Sequence, residues 1–133
     1  MTPVLVDTSV WIDAFNGKVN KHTKRLKALL EKDAPVVICP IILQEILQGI
    51  RNDAEHASVK ESLLGFEMLF IDPTEVAIGA SELYRTLRKR GVTIRKSNDC
   101  AIAFYAIRNN IPLLHNDADF NRIGKHAKLK LIE

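Results

Sequence analysis

The feature that most constrains this chain is a repeated alternation of short, unbroken apolar runs with stretches of helical spacing. Residues 3–7 (PVLVD), Val36–Ile38, residues 69–71, 112–115 and 128–132 read as strands. Runs without polar alternation suit strands buried on both faces, as in parallel sheets covered by helices. Between them, residues 8–15, 20–31, 41–50, 53–66, 74–90, 97–109 and 118–123 read as helices. Thr8 or Ser9, Thr74, and Ser97 or Asn98 are the expected N-caps, Pro40 suits a first helical turn, and Gly91 suits a helix end. Strands separated mainly by helices imply βαβ units. The expected architecture is a three-layer α/β/α domain over residues 1–133, with a mostly parallel five-stranded sheet in order 3-2-1-4-5.

In such a sheet, ligands bind beyond the carboxyl ends of the strands, where strand order reverses. Asp7 ends the first strand and Asp117 follows the fourth, so the expected order brings them face to face. Asp99 heads an apolar stripe of Ile102, Ala103, Ala106 and Ile107, which turns it toward the interior. Glu45 is surrounded in sequence by Ile41, Ile42, Ile46 and Leu47. Each acid alone has an ordinary structural use as a cap, a dipole partner or a helix edge. Together in one cleft they repel, and a hard divalent cation with oxygen ligands relieves that repulsion. Mg²⁺, with Mn²⁺ as a substitute, suits an all-carboxylate site.

Other chemistries lack their patterns. The four histidines and two cysteines have no zinc spacing, and the six glycines are isolated, which excludes a phosphate-binding loop. Ser9 has no nucleophile elbow around it and is expected to orient a carboxylate or water. Asp7-Thr8-Ser9 also lacks the second acid of a dehalogenase-type phosphoryl-transfer site. Cys39 and Cys100 are too few for a disulfide framework and read as reduced thiols of a cytoplasmic protein. No apolar run reaches membrane-spanning length, and Asp7 and Asp13 interrupt any signal core.

Residues 6–13 (VDTSVWID) resemble the opening motif of PIN-domain ribonucleases. The segment 41–47 with Glu45 is similar to their second acidic element, 98–103 (NDCAIA) to the third, and 113–120 (LLHNDADF) to the fourth. Four motifs in order span nearly the whole chain, and its size points to the VapC toxins of toxin–antitoxin pairs. The resemblance implies Asp7, Glu45, Asp99 and Asp117 as the catalytic, metal-binding acids, with Ser9 in support and Asp119 as an accessory. Asp7 and Asp99 are then the direct ligands, while Glu45 and Asp117 bind a second ion or act through water. It also implies Mg²⁺-dependent endonucleolytic cleavage of RNA, homodimerisation, and inhibition by a small VapB-like antitoxin. Position 115, Thr in many relatives, is His here, leaving open whether His115 touches substrate or packs at the strand end. The alternative is a catalytically silent RNA-binding module.

Charge bears on how RNA reaches an acidic centre. Residues 1–66 carry 8 basic and 8 acidic side chains and residues 67–133 carry 11 and 8, so the net +3 lies in the second half. Arg88, Arg90, Arg95 and Lys96 lead into Asp99 and are the expected phosphate contacts. Ile42, Leu43, Ile46, Leu47 and Ile50, with Leu63, Leu64 and Phe66, are the expected apolar surface for an antitoxin segment or second protomer.

Overall fold

The computed structural model describes residues 2–132. The chain runs β1 (Val4–Val6), α1 (Thr8–Phe15), α2 (Lys21–Glu31), β2 (Val36–Ile38), α3 (Pro40–Gln48) and α4 (Asp53–Leu64). It continues β3 (Glu67–Met68), α5 (Pro73–Lys89), α6 (Ser97–Arg108), β4 (Leu113–Leu114), α7 (Ala118–Gly124) and β5 (Leu131–Ile132). The strands form one sheet in the order β3-β2-β1-β4-β5, as expected, and every pairing is parallel.

That order decides where the helices lie. The chain steps outward from β1 to β2 to β3, then returns past β1 to β4 and β5. Parallel crossovers are right-handed, so the reversal sends α1–α4 to one face and α5–α7 to the other. The packing agrees: α1 meets α2 and α3, α3 meets α4, α5 meets α6, and α6 meets α7. The central strands β1, β2 and β4 are completely buried, which is why they carry no polar alternation. Leu5, Val6, Ile38, Leu113 and Leu114 form the middle of the core with Ile42, Ile102 and Phe120 from the helices.

Several local expectations are corrected. The third strand is Glu67–Met68 rather than residues 69–71, because the register against β2 pairs Val37 with Glu67 and Ile38 with Met68. Leu69 still donates its N–H to the Ile38 carbonyl at 2.7 Å, but Ile71 turns inward and Phe70 is 79% exposed. Of the apolar run beyond the pairing, only Ile71 therefore joins the buried core. Helix α4 stops at Leu64, before Gly65, rather than continuing to residue 66. Asp7, not Thr8 or Ser9, caps α1, and Asp72, not Thr74, caps α5. Ser97 and Asn98 lie inside α6, whose N-cap position is Lys96 without a side-chain cap bond. Gly91, at φ +81°, follows α5 in the left-handed conformation expected there.

Helices α5 and α6 pack closely where Gly79 meets Phe104. A Cβ at Gly79 would enter the Phe104 ring, so a side chain there displaces that ring or the helix carrying it. Gly79→Ala is expected to destabilise the fold by about 1–3 kcal/mol despite its higher helix propensity. Denaturant unfolding of the two proteins measures the difference, and a stabilised variant would contradict it.

Candidate functional site

The sheet order places the ends of β1 and β4 side by side, with the Asp7 N–H donating to the Leu114 carbonyl at 2.9 Å. Asp7 is buried there at 4% exposure. Its Oδ2 accepts the Ser9 hydroxyl at 2.6 Å and the Ser9 backbone N–H at 3.0 Å. It thus caps α1 with one oxygen while remaining at the strand-end crevice, so the structural and functional uses of this acid coexist. Ser9 Oγ also accepts the Asn116 backbone N–H at 2.9 Å, tying the loop after β4 to Asp7.

Across the crevice, carboxylate oxygens of Asp99, Asp117 and Asp119 lie within 4.8 Å of one another. Asp99 and Asp119 are buried and Asp117 partly so. Asp117 caps α7 through Oδ1, which accepts the Asp119 N–H at 2.9 Å, and turns Oδ2 to Lys96. Oδ2 of Asp99 and Oδ2 of Asp119 are buried and accept no hydrogen bond. Buried anionic oxygens without donors are costly, and a cation is what such an oxygen-only set accommodates. The residues present therefore fit a hard divalent ion. Asp119, expected only as an accessory, is here a full member of the cluster. Its sequence signal was its place in the motif at 113–120, two residues after Asp117.

Glu45 sits at the cluster's edge on α3, where that helix meets α6 across the sheet ends. Its Oε1 accepts the Thr8 hydroxyl at 2.7 Å and its Oε2 the Asn98 amide at 3.5 Å. Asp7 and Glu45 repel one another, and Asp99 feels Asp117, Asp7 and Asp119. Burial first, then these neighbours, push Asp99 up to about 7, against the opposing pull of Lys96. Burial likewise raises Asp7, with Glu45 adding to the effect and the Ser9 hydrogen bonds opposing it. For Asp117, desolvation works upward but is outweighed by the Lys96 hydrogen bond and the Asp119 N–H, so it titrates lower than an ordinary Asp.

Two of the cations expected only as phosphate contacts, Lys96 and Arg95, pair with the acids themselves. Lys96 Nζ lies 2.7 Å from Asp117 Oδ2 and 3.9 Å from Asp99 Oδ2, inside the cluster rather than only at its rim. That contact with Asp117 first, and Asp99 and Asp7 beyond it, hold the ammonium in its charged form. Arg95 approaches Asp119 Oδ2 at 3.8 Å while 78% exposed, so its outer face is open at the mouth. Arg122 meets Asp119 Oδ1 at 3.3 Å. Arg88 stacks over Tyr84 at 5.7 Å, and Arg90 donates to the His126 carbonyl at 3.1 Å. His115 is buried, packs 5.3 Å from the Phe120 ring and accepts the Asp117 N–H on Nδ1 at 3.1 Å. His115 thus packs at the strand end and also borders a neighbouring hollow.

Comparison with known proteins gives this arrangement a family. The PIN domain model matches residues 4–126. The chain belongs to the VapC group of the PIN-domain family. Over 128 residues it is 33% identical to the VapC ribonuclease Mb1587 of Mycobacterium bovis, covering 96% of both chains. It is 34% identical over 131 residues to ribonuclease VapC1 of Methanocaldococcus jannaschii, covering 98% of this chain and 87% of that one. Its fold is shared with VapBC2 from Rickettsia felis, solved bound to a promoter DNA fragment, at TM-score 0.77 and 22% identity over 98% and 97% of the chains. VapBC-1 from nontypeable Haemophilus influenzae aligns at TM-score 0.75 and 23% identity, with the same coverage.

In this PIN domain Ser9 joins two strand-end loops through one hydroxyl, so its loss should be felt at Asp7. Ser9→Ala is expected to lower metal affinity or turnover by roughly 10–100-fold, the range for a partner that orients a ligand. Mn²⁺ titration followed by electron paramagnetic resonance checks this. Wild-type affinity together with wild-type turnover would show that Asp7 needs no such support.

Proposed function

We propose that this VapC-group protein is the toxin of a type II toxin–antitoxin pair and a metal-dependent endoribonuclease. The observation that carries the reading is the buried carboxylate cluster of Asp99, Asp117 and Asp119, with two oxygens lacking donors, beside Asp7 at the sheet's switch point. Mg²⁺, with Mn²⁺ as substitute, is the ion this oxygen-only donor set favours. When bound, it supplies acidified water and charge stabilisation at a phosphodiester.

The chain's own residues then divide the work. Asp7, Asp99, Asp117 and Asp119 would hold the cation, and Glu45, hydrogen-bonded to Thr8 and Asn98, would serve as a further acid from α3. Ser9 keeps Asp7 aimed. Lys96 and Arg95 stand where an incoming phosphate would arrive, and their charge offsets its repulsion by the acids. Arg88 and Arg90, the other expected phosphate contacts, are engaged with Tyr84 and the His126 carbonyl and would meet RNA farther along the strand. Hydrolysis in line would leave a 5′-phosphate and a 3′-hydroxyl.

A VapB-like antitoxin and a second protomer are the proposed protein partners. Support for the first comes from the VapBC structures that share the fold. The apolar surface is narrower than expected from sequence, since Ile42, Ile46 and Leu63 are fully buried. What remains is the exposed Leu64 and an open hollow of about 640 Å³ between α3 and β3, lined by Leu43, Leu47, Met68 and His56 among others. No helix among the described residues is long and apolar enough to cross a membrane.

The decisive experiment is cleavage of single-stranded RNA by the purified protein with and without chelator. Turnover that stops with EDTA and returns with Mg²⁺ or Mn²⁺ is the expected result. RNA binding with no cleavage under any divalent ion would instead establish the silent binding module.

A further inference from the structure

Next to the acidic centre lies a second concavity that the metal chemistry does not use. It encloses about 280 Å³ between the start of α2 and the loop leading into α7, lined by Lys21, His22, Asn116, Asp117, Asn121 and Ile132 among others. Asp117 belongs to both this hollow and the carboxylate cluster. A strand whose phosphate sits at the cluster therefore has a neighbouring nucleotide at the hollow's mouth. The volume lies just under the range of typical small-ligand pockets, which suits one nucleotide and not a stack.

The walls are held in place by a residue outside the acid cluster. Asp13 Oδ2 accepts the Asn116 amide at 3.1 Å from the α7 side and the Asn20 amide at 3.2 Å from the α2 side. Asn20 in turn caps α2 by accepting the His22 and Thr23 N–H groups at 3.0 and 2.9 Å. Thr23 Oγ1 accepts the Asn20 N–H at 2.9 Å, closing a capping box. One carboxylate thus clamps both sides, and Asn116 links the same clamp to Ser9 and Asp7. The opening is built before any ligand arrives, which lowers the ordering cost of binding.

We propose that this hollow is a subsite for one unstacked RNA nucleotide adjoining the scissile phosphate. The proposal rests on the nuclease reading above and adds a determinant of which RNA is cut. The lining matches what single-stranded RNA offers. The His22 imidazole provides a face for base stacking, the Asn121 amide reads a base edge, and the Lys21 ammonium meets the flanking phosphate. Ile132 forms the apolar floor. Asp13 is a positioning residue, acting through Asn116 and Asn20.

The test is an abasic scan. A single-stranded oligoribonucleotide cut by the wild-type protein with Mn²⁺ is remade with one abasic site at each position around the cut. Wild type should lose roughly tenfold or more in kcat/KM when the nucleotide beside the cleaved bond is abasic, and much less elsewhere. His22→Ala and Asn121→Ala should each cut the parent RNA more slowly and be nearly indifferent to that abasic site. Lys21→Ala should lower affinity while keeping the abasic penalty. Mn²⁺ affinity, measured without RNA, should be unchanged in all three. A wild type that tolerates every abasic position, or variants that keep the full penalty, would overturn the subsite while leaving the nuclease reading intact. Absence of cleavage for all RNAs with every divalent ion would remove the nuclease reading first and the subsite with it.

Discussion

Asp99→Asn is expected to abolish RNA cleavage while making the metal-free protein more stable. Asp99 is 3% exposed, its Oδ2 accepts no hydrogen bond, and Lys96 approaches that oxygen only at 3.9 Å. Near neutral pH its ionised form is therefore costly, and Asp117, Asp7 and Asp119 add to the cost. An amide of the same shape removes the charge and keeps the packing against α6's neighbours. Metal-free stability should rise by about 1 kcal/mol or more, roughly 3–5 °C in Tm. The same change removes an anionic ligand from the cluster, so Mn²⁺ binding should weaken and turnover fall by more than the ~100-fold typical of a lost supporting partner. Cleavage assays and thermal unfolding of the variant, with and without Mn²⁺, test both halves. Retained cleavage would remove Asp99 from the metal site, and a lowered metal-free Tm would show that its charge is already compensated.

The second large effect is a reversal of pH dependence by metal. Asp99 is raised to about 7 and Asp7 is raised above its ordinary 3.8, both principally by burial. Between the unfolded and folded values the folded protein therefore holds protons that the unfolded chain has released. Stability then decreases as pH rises, by up to ~1.4 kcal/mol per pH unit for each proton fully retained. Metal-free Tm should accordingly fall between pH 5 and pH 8. Asp117, lowered overall, contributes the opposite slope only in the acid range below about pH 4. Divalent ions bind the ionised carboxylates, so saturating Mg²⁺ should stabilise most at pH 8 and flatten or invert the slope. Thermal unfolding at four pH values with chelator and with Mg²⁺ measures this. A metal-free Tm independent of pH across that range would mean that the acids are solvated or fully paired.

Together these expectations describe a site whose folded chain carries an electrostatic cost that a cation relieves. Lys96 and Arg122 relieve part of it internally, the first donating to Asp117 Oδ2 at 2.7 Å and the second to Asp119 Oδ1 at 3.3 Å. The same lysine was expected from sequence to meet phosphate, and the two uses are compatible if metal and substrate draw it away from Asp117.

What the sequence determined by itself is local and periodic. Unbroken runs such as Val4–Val6 and Val36–Ile38 announce strands buried on both faces, and three- and four-residue apolar spacing announces the helices between them. These elements give a parallel α/β sheet; the order 3-2-1-4-5, which puts Asp7 and Asp117 at adjacent strand ends, was an expectation that the sheet bears out. Tertiary structure alone decided contacts made to within an ångström by residues far apart in the chain. Asp119 joins Asp99 because α7 packs on α6, and Lys96 reaches Asp117 across 21 residues. Asn116 reaches Asp13 and Ser9 across more than 100, linking the clamp of the hollow to Asp7. The third strand's true position, Glu67–Met68, was likewise set by its register on β2 and not by its own apolarity. Periodicity states which face of an element is apolar. It does not state which polar tips meet once the faces are packed, because that depends on a few ångströms of helix placement to which the hydrophobic pattern is blind.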